Sequence, residues 1–304
     1  MITILCISWE LNAQVALPTF QAAHYASFAL YSFSAHTFTN CGATGKTGPT
    51  LANCKSSYDT SWEDDTDFFN VQTQGIQEWT VPTTATYSIE AWGAEGGGGT
   101  AGKGARMKGY FDLTQGMVLK IVVGQMGIEE GSYSGTLGHA GGGGGGSFII
   151  KSPYNTTGSI LVIAGGGGGS GSHYVGYGGI TSETDSNTGS AGNGGTPGSN
   201  GNSGAGFSGN GALGGHHGHT IAYSFVNGAV GGVGHSGGGT GYGGFGGGGG
   251  DAYADGGGGG GYSGGNSAGN WYGGYGAGSY NTGSNQDNTA DTRESHGQVI
   301  ITKQ

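Results

Sequence analysis

The sequence predicts an all-β protein: a jelly-roll β-sandwich with an inserted glycine-rich bundle of polyproline/polyglycine II helices. Three observations lead there. Glycine supplies 77 of the 304 residues, about a quarter of the chain against a usual ~7%. Short alternating apolar segments recur roughly every ten residues, as in sandwiches. The glycines lie in runs that abut hydrophobic strands, whereas flexible linkers mix in serine and avoid such strands. Only 5 prolines accompany them and no Gly-X-Y period occurs, which excludes collagen. With 5 Trp, 16 Tyr, 11 Phe and 9% charged residues, the chain is too aromatic and too weakly charged for simple disorder.

At the N-terminus, residues 1–14 read as a signal or leader, ending in Leu11-Asn12-Ala13-Gln14 and lacking a positive n-region. Residues 15–28 are expected to form an extended arm, with Val15, Leu17, Phe20 and Tyr25 around Pro18. Such an arm could pair with the sheet edge of a second copy and build a fibre. The alternatives are a first strand of its own sandwich or a disordered arm. Between 29 and 38, Tyr31, Phe33, Ala35 and Thr37 alternate with Ser32, Ser34 and His36, the pattern of a half-buried strand.

A turn-rich loop follows at 40–50, then one or two helical turns at 51–58. If the leader takes Cys6 away, Cys41 and Cys54 remain as an even pair. A disulfide there would contribute about 3 kcal/mol in an oxidising compartment; two free thiols in a reducing one are the alternative. Glu63, Asp64, Asp65 and Asp67 form an acidic patch without the ligand spacing that calcium loops require, so a solvated face is expected. Strands are predicted at 75–82, 86–92, 106–113 and 118–123. The last is continuously apolar, as for a strand covered on both sides.

Beyond Trp92 the composition changes, since Gly42, Gly45, Gly48 and Gly75 are the only earlier glycines. Runs at 141–146, 165–169, 246–250 and 256–261 interleave with apolar strands at 147–151 and 160–164. A terminal strand at 297–303 returns to the first sheet, so the insert must fold with its ends together. The expected division is a sandwich of 29–140 with 297–303, and a glycine-rich domain of 141–296. Glycine buries no side chain and loses the most backbone entropy on ordering. Close lateral backbone pairing must compensate, and a three-residue polyproline II helix with outward N–H and C=O groups provides it.

The stretch 37–50 (TFTNCGATGKTGPT), Cys54, Tyr58, Gly75-Ile76-Gln77 with Trp79, 119–127 (LKIVVGQMG) and the runs up to His296-Gly297-Gln298-Val299 resemble a known family. They are similar, in order over about 33–303, to the membrane-proximal ectodomain of anaplastic lymphoma kinase and leukocyte tyrosine kinase. The resemblance implies a tumour-necrosis-factor-like jelly roll with a polyglycine II insert, a Cys41–Cys54 disulfide, and capture of small basic helical cytokines. The family's longer acidic insert is replaced here by 280–291, and its extra cysteines in the glycine region are missing.

Chemistry-bearing motifs are sparse. His216, His217 and His219 form the one metal-like cluster, but no Cys, Asp or Glu stands at ligand spacing; a polar loop is expected, with no metal and no cofactor. Repeated Gly-x-Gly-x-x-Gly patterns lack the following helix of a phosphate loop, and no nucleophile elbow occurs, so an enzyme is not expected. Asn155-Thr156-Thr157 is a glycosylation sequon. The net charge of −10 disfavours nucleic acid, and no run of about 18 apolar residues suits a bilayer.

The leading expectation is a non-enzymatic extracellular structural or adhesive module that binds a protein or copies of itself. A receptor-like ectodomain for a small basic polypeptide is second, and a glycan-binding adhesin third. The expected partner surface comprises Glu63, Asp64, Asp65, Asp67, Asp287 and Asp291 with Trp271, Tyr272 and Tyr275, the aromatics serving as stacking faces for sugars.

Overall fold

The computed structural model describes residues 29–136, 138–215, 219–234 and 241–304. In chain order the elements are β1 (Ala35–Phe38), α1 (Leu51–Ser57), β2 (Phe69–Thr73), β3 (Ile76–Thr80), β4 (Ala85–Trp92), β5 (Gly104–Leu113) and β6 (Val118–Val122). There follow β7 (Glu129–Gly135), β8 (Gly138–Gly141), β9 (Ser147–Lys151), β10 (Ile160–Ala164), β11 (Tyr280–Asn281), β12 (Thr289–Arg293) and β13 (Gln298–Lys303).

Two antiparallel sheets face each other as a β-sandwich. One has the order β1-β13-β4-β5-β12 and the other β11-β10-β9-β6-β3-β2, with β7 and β8 forming a separate hairpin. The C-terminal strand closes the first sheet from inside, pairing Val299 with Phe38 on one side and with Ala91 on the other. Alternation fixes which face is buried: Tyr87, Ile89 and Ala91 of β4 are fully buried, as are Val299 and Ile301 of β13. Across the interlayer they join Trp79, Leu119, Ile121, Ile149 and Val162 from the second sheet.

The second sheet is covered on its outer face as well. Ile76, Val122, Phe148, Ile150, Ile160 and Ile163 pack there against Phe207, Phe225, Phe245 and Tyr262 from the glycine-rich region. Double coverage is why β10 reads Ile-Leu-Val-Ile-Ala with every residue buried. Strands β9 and β10, which composition groups with the glycine-rich part, thus pair into the same sheet as β3 and β6.

The strand expected over 29–38 shortens to β1. Its first half is held by isolated bonds, Leu30 N–H to the Pro82 carbonyl at 2.9 Å and the Tyr31 hydroxyl to the Thr80 carbonyl, so Tyr31 is buried without belonging to a ladder. The expected helical turns are α1, begun by a reciprocal capping box between Thr50 and Asn53. Nothing in the sequence signalled the short edge strands β2, β11 and β12.

The glycine runs bond laterally to one another. Gly143 N–H donates to Gly249 O at 2.8 Å, Gly144 to Gly167 O at 2.8 Å, Gly166 to Gly260 O at 2.9 Å and Gly260 to Gly144 O at 2.9 Å. A methyl group on Gly143 would sit 2.0 Å from the Gly258 carbonyl oxygen. The segments therefore approach at distances that no side chain permits, and this close approach, rather than turn formation, accounts for the composition.

Candidate functional site

The first candidate surface is the segment after α1. Cys54 lies on the helix, and its disulfide to Cys41 closes the turn-rich loop across 13 positions. Cys41 stands at φ 48°, a left-handed backbone that the cross-link holds. The acidic patch divides. Glu63 turns inward, 8% exposed, and accepts from the Thr60 backbone N–H at 2.9 Å and from the Thr60 hydroxyl. Burial opposes its charge, but these bonds and those from neighbouring N–H groups outweigh it and hold its carboxyl below the usual range. Asp64, Asp65 and Asp67 stay exposed; Asp64 pairs with Lys55 at 3.4 Å and Asp65 Oδ1 accepts from the Asp67 N–H at 3.0 Å. Glu63 is thus a buried support for three solvated carboxylates.

Asp287 and Asp291 serve the strand contacts of β12. Asp287 pairs with Arg106 at 3.0 Å, and Arg106 also pairs with Glu90 of β4. Asp291 accepts from the Lys103 backbone N–H at 2.9 Å. Asn155 is exposed in the β9–β10 connection, where a sequon would be accessible.

The second surface is aromatic. Segments 173–180 and 271–277 run side by side in one direction, with Tyr177 N–H donating to Gly274 O at 3.0 Å and Ile180 N–H to Ala277 O at 3.0 Å. Their rings pair in step. Tyr174 stacks on Tyr272 at 3.9 Å and 2°, Tyr177 on Tyr275 at 4.7 Å and 13°, and His173 lies 5.0 Å from Trp271. The Tyr174 side chain stacked beside it holds the Tyr272 pKa above its usual value. Trp271 is 50% exposed.

Sequence reasoning found Trp271, Tyr272 and Tyr275 but missed His173, Tyr174 and Tyr177. The signal was available: Tyr174-Val175-Gly176-Tyr177 repeats the spacing of Tyr272-Gly273-Gly274-Tyr275. It also missed Asp255, a fully buried carboxylate that accepts from the Trp271 backbone N–H at 2.5 Å and from the Asn200 amide at 2.7 Å.

Val15, Leu17, Phe20 and Tyr25 lie outside the described residues, as do His216 and His217. His219 is described, with its Nδ1 3.2 Å from Asn202 Oδ1. Among the described residues no group of three metal-ligating side chains occurs, and no helix is long and apolar enough to cross a membrane.

No family model matches the chain. It is similar to the leukocyte tyrosine kinase receptor of Mus musculus, 38% identical over 95 residues, which are 30% of this chain and 11% of the receptor. The chain therefore matches about a tenth of that relative's length. This partial likeness to a receptor, with a disulfide in place, points to an extracellular location.

Proposed function

We propose that the chain is a non-enzymatic extracellular recognition module of receptor-ectodomain type, holding a protein ligand against a stiff scaffold. The observation that carries this reading is the 38% identity to leukocyte tyrosine kinase receptor. The ligand class follows from charge. A net charge of −10 steers basic polypeptides toward the surface and repels acidic ones, and Asp64, Asp65 and Asp67 offer exposed carboxylates beside a cross-linked loop. Stiffness comes from the laterally bonded glycine segments, which we assign to polyproline II-type rods because that geometry turns N–H and C=O groups outward.

The test is biolayer interferometry of the full chain against a panel of small folded basic polypeptides. The expected result is saturable one-to-one binding by at least one of them, with association slowing as salt rises from ~50 to ~300 mM and slowing further in Asp64→Lys/Asp67→Lys. If the panel shows only the weak, non-saturating attraction given by an unrelated domain of equal charge, the reading fails.

A further inference from the structure

We propose that the paired aromatic rings of 173–177 and 271–275 form a binding site for a neutral oligosaccharide, built from residues other than those of the acidic loop. Four features point to it. The first is backbone strain. Asn270 and Trp271 occupy left-handed backbone at φ 63° and 71°, a conformation costing on the order of 1–3 kcal/mol for residues other than glycine. In a chain that uses glycine so freely, a half-exposed tryptophan placed there is held against its own preference. The buried Asp255 carboxylate is what holds it, through the Trp271 N–H at 2.5 Å.

The second feature is the ring spacing. Tyr174 and Tyr177 stand three residues apart, as do Tyr272 and Tyr275, which in three-residue helical geometry places successive ring pairs ~9 Å apart. Stacking covers one face of each ring with its partner yet leaves Tyr174, Tyr177 and Tyr272 38–45% exposed, so the remaining ring surface is held in place without losing rotamer freedom on binding. Exposed aromatic faces at a repeat of about this length suit the apolar faces of alternate pyranose rings along an extended sugar chain.

The third feature is a pocket of about 190 Å³ at the end of the ladder, bounded by Tyr177 and Tyr275 with Ile180, Asp185 and Asn187. Asp185 Oδ1 accepts from the Asn187 backbone N–H at 2.8 Å, which fixes the carboxylate. A carboxylate accepts from two hydroxyls and an amide both donates and accepts; beside an aromatic platform, that set reads the adjacent hydroxyls of a sugar. A polyproline stretch offers carbonyl acceptors and no backbone N–H donors, so it gives Asp185 nothing to accept.

The fourth is charge. The chain carries −10 overall, and Asp185 sits in the pocket itself, so sulfated or uronic glycans are repelled. The site takes an uncharged chain of hexose or N-acetylhexosamine units.

Isothermal titration of the full chain with cellohexaose and chitohexaose tests this, with affinity gels of neutral polysaccharides as a second measurement. One of the two sugars is expected to bind saturably. Tyr275→Ala and Trp271→Ala weaken it by roughly tenfold or more, Asp185→Ala by a similar factor, and Tyr275→Phe by no more than about threefold. Circular dichroism checks that the variants fold, and Tyr177→Ala replaces Tyr275→Ala if that one does not. Three results would overturn the proposal: no binding of any neutral sugar, unchanged affinity in all the aromatic variants, or binding of decaproline or heparin while the neutral sugars stay silent. Binding of basic polypeptides should persist in Tyr275→Ala, so the two functions fail separately.

Discussion

The ring of Phe245 lies against the α-carbon of Gly75, so close that a methyl group on Gly75 would fall 2.1 Å from Cζ. Phe245 comes from the glycine-rich region and Gly75 from the turn between β2 and β3. The contact joins the two compositional halves, and Gly48 of the cross-linked loop packs on the same ring. Gly75 also stands at φ +87°, where an added Cβ is strained in its own right. Gly75→Ala should therefore destabilise by at least the 1–3 kcal/mol typical of overpacking. Phe245→Ala, which empties a fully buried site, should cost about 3–5 kcal/mol. Urea denaturation measures both, and a Gly75→Ala variant as stable as the parent would show that the halves do not meet there.

The glycine segments allow a cleaner test of close approach. Gly143→Ala puts a methyl 2.0 Å from the Gly258 carbonyl oxygen, whereas Gly158, in the β9–β10 connection, has nothing within 4 Å. The first substitution should destabilise by about 1–3 kcal/mol or more. The second should stay within about 0.5 kcal/mol, or stabilise slightly by restricting the unfolded chain. Amide exchange supplies the companion measurement: N–H groups at Gly143, Gly144, Gly166 and Gly260, each bonded to a neighbouring segment, should be protected. Fast exchange at those positions would reduce the segments to linkers.

Much of this architecture was legible in the sequence, for identifiable reasons. Strands β3, β4, β6, β9 and β10 announced themselves because apolar alternation and apolar runs are local signals. The edge strands did not. β12 reads Thr-Ala-Asp-Thr-Arg and is almost wholly exposed; it exists because Arg106 and Lys103 meet Asp287 and Asp291 across a long sequence separation. The acidic run showed its charge but not that Glu63 faces inward, since Thr60 decides that. The aromatic ladder was half seen. Ring pairing joins segments almost a hundred residues apart, and composition carries no information on which segments run side by side.

The Cys41–Cys54 bond closes a loop of 13 positions, for which constraint of the unfolded chain gives about 3 kcal/mol. Cys41→Ser/Cys54→Ser should lose stability of that order, as should the parent in strong reductant. The loss should concentrate in the 40–58 segment, and proteolysis there should quicken before the glycine-rich region is cut. Equal melting temperatures with and without reductant would remove the cross-link from the stability account.

A pH dependence follows from His36. Its ring is enclosed edge-on by Phe38 at 4.6 Å, Tyr58 at 4.5 Å and Trp62 at 4.9 Å. Burial lowers its pKa to about 4, with Glu63 pulling weakly the other way. The folded chain thus keeps His36 neutral where the unfolded chain, at the ordinary value near 6.5, already binds a proton. Between about pH 6.5 and 4 the unfolded state holds more protons, so stability falls as pH falls through that window. The loss approaches about 3 kcal/mol at its lower end as an upper bound. His296 adds a term of the same sign, since burial and then Arg293 lower its pKa. Above pH 7 both imidazoles are neutral in either state and the contribution is flat. His36→Phe keeps an aromatic ring among the same neighbours and removes the proton, so its stability should change less between pH 7 and 5 than that of the parent. Thermal denaturation of the two proteins at pH 7, 6 and 5 reads the difference, and parallel curves would place the titrating group elsewhere.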